Sequence, residues 1–250
     1  MKPRVLITIP ISHYCEKARW ALDRAALPYE EHRHLPGIHR IAVRRAGGKL
    51  TAPVLVCPER VLRESADIVE YADSHAPAER RMRLDDETLD AEARALAAGY
   101  DEELGPHTRR WVYYELRGRR EIAAAYLTTG VPAWQRRSFN VTYRPISALI
   151  NRMLDITPDT AAQSERAMRT VFDQVGERLS DGRRYLVGDR FTTADLTFAA
   201  LSAPLIAPAE YGVPLPTVEE IPETTAATVR ELREHPAGAH ALAMFRDERR

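Results

Sequence analysis

Three short segments of the sequence hold side chains that could bind and activate a small anionic nucleophile. Ser12, His13, Tyr14 and Cys15 stand where an apolar, β-branched run gives way to a helical pattern. A hydroxyl beside free first-turn N–H groups and the positive end of a helix dipole favours an anion, above all a thiolate. The second segment is Thr51-Ala52-Pro53-Val54-Leu55. A proline opening a strand loses no ladder bond, and a cis bond before Pro53 would turn the backbone of Ala52 outward to pair with a peptide-like ligand. In the third segment Glu64 precedes Ser65 at the start of a helical run. There a hydroxyl and a helix N-terminus can hold a carboxylate while Glu64 takes an ammonium group.

Each of these side chains also has a plainer reading. Ser12 could serve only as a helix cap. Tyr14 offers a second hydroxyl, although packing is its main expected duty. Cys15 closes a Ser-His-Tyr-Cys turn that looks like the Cys-Pro-Tyr-Cys turn of glutaredoxins with the attacking cysteine replaced, so it reads as a small core residue, as does Cys57. His32, His34 and His39 lack a carboxylate or cysteine at ligand spacing, and no metal site is expected. Tyr14, Trp111, Tyr113 and Tyr114 are candidates for the wall of a second-substrate pocket, although aromatic residues at helical spacing also suit a core. Arg109 and Arg110 read as a solvated face.

The elements that must position these groups follow from periodicity. Arg4 to Ile9 is a short buried strand bounded by prolines. From Tyr14 the apolar residues Ala18, Ala21, Leu22 and Ala25 recur at helical steps until Pro28. Tyr29 to Leu35 has strand character, and a weaker helix should end at Gly47-Gly48. Pro53 to Cys57 and Arg60 to Leu62 form a hairpin across Pro58-Glu59, and a helix begins at Ser65. Strand, helix, strand, helix, hairpin, helix is the order of a small mixed sheet covered by helices.

Residues 77–86 read as a linker between a first domain of residues 1–76 and a second of residues 87–250. No convincing strand follows, and five helical stretches are expected: Asp90 to Leu104, His107 to Arg117, Ala133 to Leu154, Thr160 to Ser180, and Ala194 to Ala207. Pro204 to Pro222 should wrap the surface as a loop. The 36 basic and 36 acidic residues balance, so no large field draws the chain to nucleic acid or anionic lipid. Two cysteines and no long apolar run fit a soluble, cytoplasmic protein with no membrane partner.

Taken in order, the three segments resemble the cytosolic glutathione transferase superfamily, and the resemblance covers nearly the whole chain. It implies an α+β thioredoxin-like N-terminal domain followed by an all-α C-terminal domain. It also implies that Ser12 matches the serine that donates a hydrogen bond to the glutathione thiolate in theta- and zeta-like members. Ala52, before Pro53, would pair with the cysteinyl unit, Glu64 and Ser65 would hold the γ-glutamyl end, and His39 or Lys49 would take the glycyl carboxylate. Gly188 to Leu196 matches the family's buried capping box and hydrophobic staple, with Thr192 as cap, Asp195 reaching back, and Phe191 packing on Leu196. The chain departs from the pattern in having the small Ala52 where relatives carry a branched aliphatic residue, and in lacking the usual Asn-Pro turn ahead of it.

The implied activity is transfer of glutathione, the co-substrate, to a small electrophile by a homodimer. Two other readings are a glutathione-dependent thiol-disulfide oxidoreductase or peroxidase, and a non-catalytic interaction module of the same fold.

Overall fold

Prolines 3, 10 and 28 set the limits of the first strand and helix, since proline supplies no N–H to a ladder or to a helix interior. The computed structural model describes residues 3–249. Strand β1 (Arg4–Thr8) leads into helix α1 (His13–Arg24), and β2 (Tyr29–Arg33) returns parallel to β1, pairing Leu6 with Glu31. Helix α2 (His39–Arg45) follows, then strands β3 (Val54–Val56) and β4 (Val61–Leu62) and helix α3 (Ser65–His75). β3 runs antiparallel to β1, with Leu6 opposite Leu55, and the sheet order is β2-β1-β3-β4.

Alternation along the strands assigns each side chain to a face. Leu6 and Leu55 point to the side covered by α1 and α3 and join Ala18, Leu22, Ile68 and Ala72 in the main core. Val5, Ile7, Val54 and Val56 point the other way, where Val43 of α2 closes a smaller cluster. The mixed sheet with helices on both faces is the one the alternating pattern predicts.

A short 3-10 turn (Ala78–Arg80) lies within the expected linker, and every later element is helical: α4 (Glu87–Glu103), α5 (Gly105–Glu115), α6 (Arg120–Leu127), α7 (Ala133–Met153), α8 (Pro158–Arg178), α9 (Thr193–Ile206), α10 (Glu223–Glu234) and α11 (Pro236–Glu248). α9 is apolar all round and buried almost throughout, as a helix at the centre of a bundle must be. It runs through Pro204, so the proline-rich loop begins only at residue 207. α6, α10 and α11 lie outside the five stretches expected. The α10–α11 corner is a single residue, His235, and a Cβ at Gly238 would stand 1.8 Å from the Leu232 carbonyl oxygen, so only glycine fits there.

The two halves share one core. Trp20 of α1 is fully buried, stacks on Phe191 at 5.5 Å between ring centroids, meets Phe245 at 4.6 Å, and donates from Nε1 to the Glu248 carbonyl. No helix among the described residues is long and apolar enough to cross a membrane.

Candidate functional site

The turn from β1 to α1 is held from both sides. Arg19, fully buried on α1, donates to the Pro10 carbonyl at 2.8 Å and is itself fixed by Glu31 at 2.7 Å and Glu16 at 3.1 Å. Tyr211, from the loop after α9, donates to the Ile11 carbonyl at 3.2 Å, and Arg249 closes on Glu16 at 2.7 Å. Ser12 therefore sits on rigid backbone. Its carbonyl accepts the first helical bond, from Glu16, but its side chain makes no capping bond. The plain capping reading thus fails: the hydroxyl is left at the wall of a cleft of about 770 Å³.

Ala52, Pro53, Glu64 and Ser65 line the same cleft, and the Ala52–Pro53 peptide is cis. Glu64 is exposed at the N-cap of α3, and Ser65 is buried in its first turn. The first three N–H groups of such a helix have no intrahelical acceptor. A carboxylate placed there meets aligned donors, with Glu64 beside it as the acidic partner for an ammonium. All three segments singled out in the sequence therefore converge on one cavity, across the sheet end where β1 and β3 are neighbours.

The comparisons bear on the same regions. The N-terminal domain model of glutathione S-transferases matches residues 6–80, and the C-terminal domain model matches residues 144–226. The chain belongs to the glutathione S-transferase superfamily. Among solved structures it is similar to the glutathione transferase GSTFuA3 of Phanerochaete chrysosporium, at 18% identity over 99% of this chain and 98% of that one, with a TM-score of 0.63. A glutathione S-transferase of Methylobacillus flagellatus with glutathione bound gives 17% identity, 98% of each chain and a TM-score of 0.61. The β-etherase LigF of Sphingobium gives 19%, 97% of this chain and 99% of that one, and 0.59. Likeness at these identities speaks for the fold. No curated protein matches the sequence.

Within this glutathione S-transferase fold the remaining candidates separate. Cys15 is fully buried and outside the cleft lining, and its sulfur accepts the Ile9 N–H at 3.4 Å. Burial pushes its thiol pKa up, with smaller opposing effects from Arg19, the Ile9 N–H and the Ser12 hydroxyl. A neutral, sealed thiol is a poor nucleophile, so the core reading of Cys15 is the one the geometry favours. Tyr14 faces the cleft but donates its hydroxyl to the Asp101 carbonyl at 3.0 Å, and burial raises its pKa to about 12. It is a wall, fitted so closely that a Cβ at Gly105 would lie 2.1 Å from its oxygen. Beside it, Lys17 and Asp101 form a 2.5 Å ion pair.

Trp111 and Tyr113 line the cleft as expected, but Tyr114 does not; Arg117 covers its ring at 3.6 Å. The solvated face expected at Arg109 and Arg110 is also corrected. Arg109 lines the cleft, and Arg110 turns to the Leu154 carbonyl and the Ser164 hydroxyl. His13, named in the first segment without a role of its own, also belongs to the cleft wall. It is buried, bonded through Nε2 to the Gly105 carbonyl at 3.1 Å, and held neutral by burial and by Arg109, which bring its pKa to about 3.

Lys49 is exposed and outside the lining. His39 is in the lining, yet both ring nitrogens are engaged: Nδ1 accepts the Gly37 N–H at 3.1 Å, which leaves Nε2 to donate to the Leu50 carbonyl at 3.0 Å. This bridge fixes the loop ahead of Pro53, so His39 is a positioning residue. Its neighbour Arg40 also lines the cleft and rests on the Met153 sulfur at 3.0 Å. His34 is bound to Gln135, whose Oε1 also accepts the Leu35 N–H, and His32 pairs with Glu30, so the three histidines face different partners. Among the described residues no three histidine, cysteine, aspartate or glutamate side chains form a metal-sized group.

The burial of His39 has a measurable consequence. Burial, followed by lesser effects, lowers its pKa to about 4, against about 6.5 in an unfolded chain. The folded protein refuses a proton that the unfolded chain accepts. Its contribution is therefore complete above pH 6.5 and is lost as pH falls toward 4, by at most about 1.4 kcal/mol per pH unit. Urea unfolding at pH 7 and pH 5 should show a smaller loss of stability in His39→Gln than in the parent. Equal losses would mean that His39 protonates freely in the folded state.

Proposed function

We propose that the cleft binds reduced glutathione as a thiolate and presents it to an electrophile held against the helical half. The convergence of Ser12, Ala52-Pro53 and Glu64-Ser65 on one cavity carries this reading. Ser12 donates its hydroxyl to the sulfur, with the first-turn amides of α1 behind it, as in the serine-type, theta- and zeta-like members that the sequence resembles. The backbone of Ala52 pairs with the cysteinyl unit. Ser65 and the N-terminus of α3 take the γ-glutamyl carboxylate, Glu64 takes its ammonium, and Arg40 takes the glycyl carboxylate in place of Lys49.

The chemistry needs no resident cofactor. The thiol proton leaves to solvent through the mouth of the cleft, the sulfur attacks the electrophilic carbon, and the leaving group departs. The acceleration comes from a lowered thiol pKa and from holding the two reactants together. Supporting the conjugation reading over thiol exchange is the burial of Cys15, which leaves the protein without an accessible thiol at this turn. We place the glutathione-binding domain at residues 1–76 and the electrophile-binding helices at 87–250, and we expect a cytoplasmic homodimer.

Isothermal titration with reduced glutathione should give saturable binding in the micromolar to millimolar range. Glu64→Gln should weaken that binding about tenfold, the size of one hydrogen bond to a charged group. Absence of any binding would leave the interaction-module reading in front.

A further inference from the structure

Of the cleft arginines only Arg40 has an assignment in the proposed glutathione site, and among the others Arg109 has an Nε that is buried without a partner. Arg109, on α5, lines the cleft together with His13, Tyr14 and Tyr113. Its Nε is fully buried with no hydrogen-bond partner, and no carboxylate among the described residues forms an ion pair with its guanidinium. Arg109 as a whole is half-buried, and burying its Nε without a hydrogen-bond partner is costly. The other cleft arginines with contacts are occupied differently: Arg63 donates to the Gly47 carbonyl, Arg117 to the Tyr114 carbonyl, and Arg40 rests on Met153.

The cleft as a whole is cationic in a chain whose formal charge is zero. Five arginines (40, 63, 109, 117 and 119) line it against two carboxylates, Glu64 and Asp101, and Asp101 is already paired with Lys17. His13 adds no positive charge next to Arg109, because it is neutral. Much of the remaining lining is apolar, with Trp111, Val112, Leu215 and Ile221 in it. An unpartnered planar fork at an apolar wall is the arrangement that binds a carboxylate on a hydrophobic body, because a guanidinium matches a carboxylate bidentately.

We propose that the second substrate is an acid, an apolar or aromatic body bearing a carboxylate, and that Arg109 binds that carboxylate. The proposal rests on the transferase reading only for turnover; binding of the acid is independent of it. The site selects by charge at one end and by apolar fit along the rest, while the reacting carbon faces the sulfur at Ser12.

Two measurements on the full chain separate the two ideas. In the first, unreactive naphthalene-2-carboxylate and naphthalene-2-carboxamide are titrated into the parent, Arg109→Gln and Arg109→Lys, with circular dichroism to establish that each is folded. The parent should bind the carboxylate at least about tenfold more tightly than the amide. Arg109→Gln should erase that preference while leaving amide and glutathione affinities unchanged, and Arg109→Lys should keep part of it. In the second, kcat/KM with glutathione is compared for 4-chloro-3-nitrobenzoate and 4-chloro-3-nitrobenzamide, and the same preference should appear and vanish with Arg109. Equal affinity of the parent for acid and amide overturns the proposal, as does an Arg109→Gln that loses both alike or loses glutathione instead. Acid preference without any glutathione binding would keep the acid site and remove the transferase reading; glutathione binding without acid preference would do the reverse.

Discussion

Alanine in place of Ser12 should lower kcat with a chloronitrobenzene electrophile by about 10- to 100-fold, the loss expected when one hydrogen bond to a charged sulfur is removed. The glutathione dissociation constant should change by less than about threefold, because in the proposed site the tripeptide's ends are held elsewhere, at Glu64, Ser65 and Arg40. The pH profile of kcat/KM supplies a second readout. Without the hydroxyl the thiolate loses a stabilising partner, so the rising limb should move to higher pH. The hydroxyl makes no capping bond, so the helix loses little and the variant should unfold at nearly the parent's urea midpoint. Turnover equal to the parent's would take Ser12 out of the chemistry. Turnover retained in Ser12→Ala but lost in Cys15→Ala would instead revive the thiol-exchange reading.

The second large effect concerns folding. Asp195 is completely buried at the start of α9, and its Oδ2 accepts from both the Thr192 N–H at 2.9 Å and the Thr192 hydroxyl at 2.8 Å. Its Oδ1 accepts the Leu186 N–H at 2.7 Å and lies 3.3 Å from Nε2 of His240. Asp195→Ala leaves those donors buried without an acceptor, and the expected loss is about 3–5 kcal/mol, well above an ordinary cap. Asp195→Asn, which keeps one carbonyl oxygen, should lose less. Equilibrium urea unfolding measures both. An alanine variant within about 1 kcal/mol of the parent would show that water or a shifted chain takes over the carboxylate's partners. Any fall in activity should follow the fraction folded, since Asp195 is absent from the cleft wall.

Much of the first half was legible because its signals are local. The unbroken apolar run within Arg4–Thr8, the prolines around α1 and the Pro58-Glu59 turn each specify geometry within a few residues, and the order of elements then leaves few ways to build a sheet. The reach of Asp195 back to Thr192 was legible for the same reason, being a contact three residues long. The helices that escaped notice are those with weak apolar marking. α10 buries Thr225, Ala226, Val229 and Leu232, of which two are small or polar, and α6 is eight residues long with no fully buried side chain.

At the site, the sequence named the three segments but erred wherever a role depended on a residue's partner. Tyr114 and Tyr113 differ by one helical step, which decides between the surface and the cleft and which composition cannot resolve. Arg109 and Arg110 look alike as neighbours, yet α5 turns one to the cavity and the other to the Leu154 carbonyl. The family resemblance makes His39 a donor for a ligand, but Gly37 and Leu50 already engage it. In all three cases the deciding atom lies on another element or in a loop, and no local pattern carries it.

The carbonyl just ahead of Ser12 is gripped by Tyr211, and that of Pro10 by Arg19, whose partner Glu16 is in turn braced by Arg249. Order of synthesis and order of rigidification thus run in opposite directions. A chain emerging from the ribosome has made the Ser12 hydroxyl at the outset, yet until the far end has been translated and folded back, its turn keeps only the contacts made within the first domain, from Arg19, Cys15 and the Ile9 carbonyl.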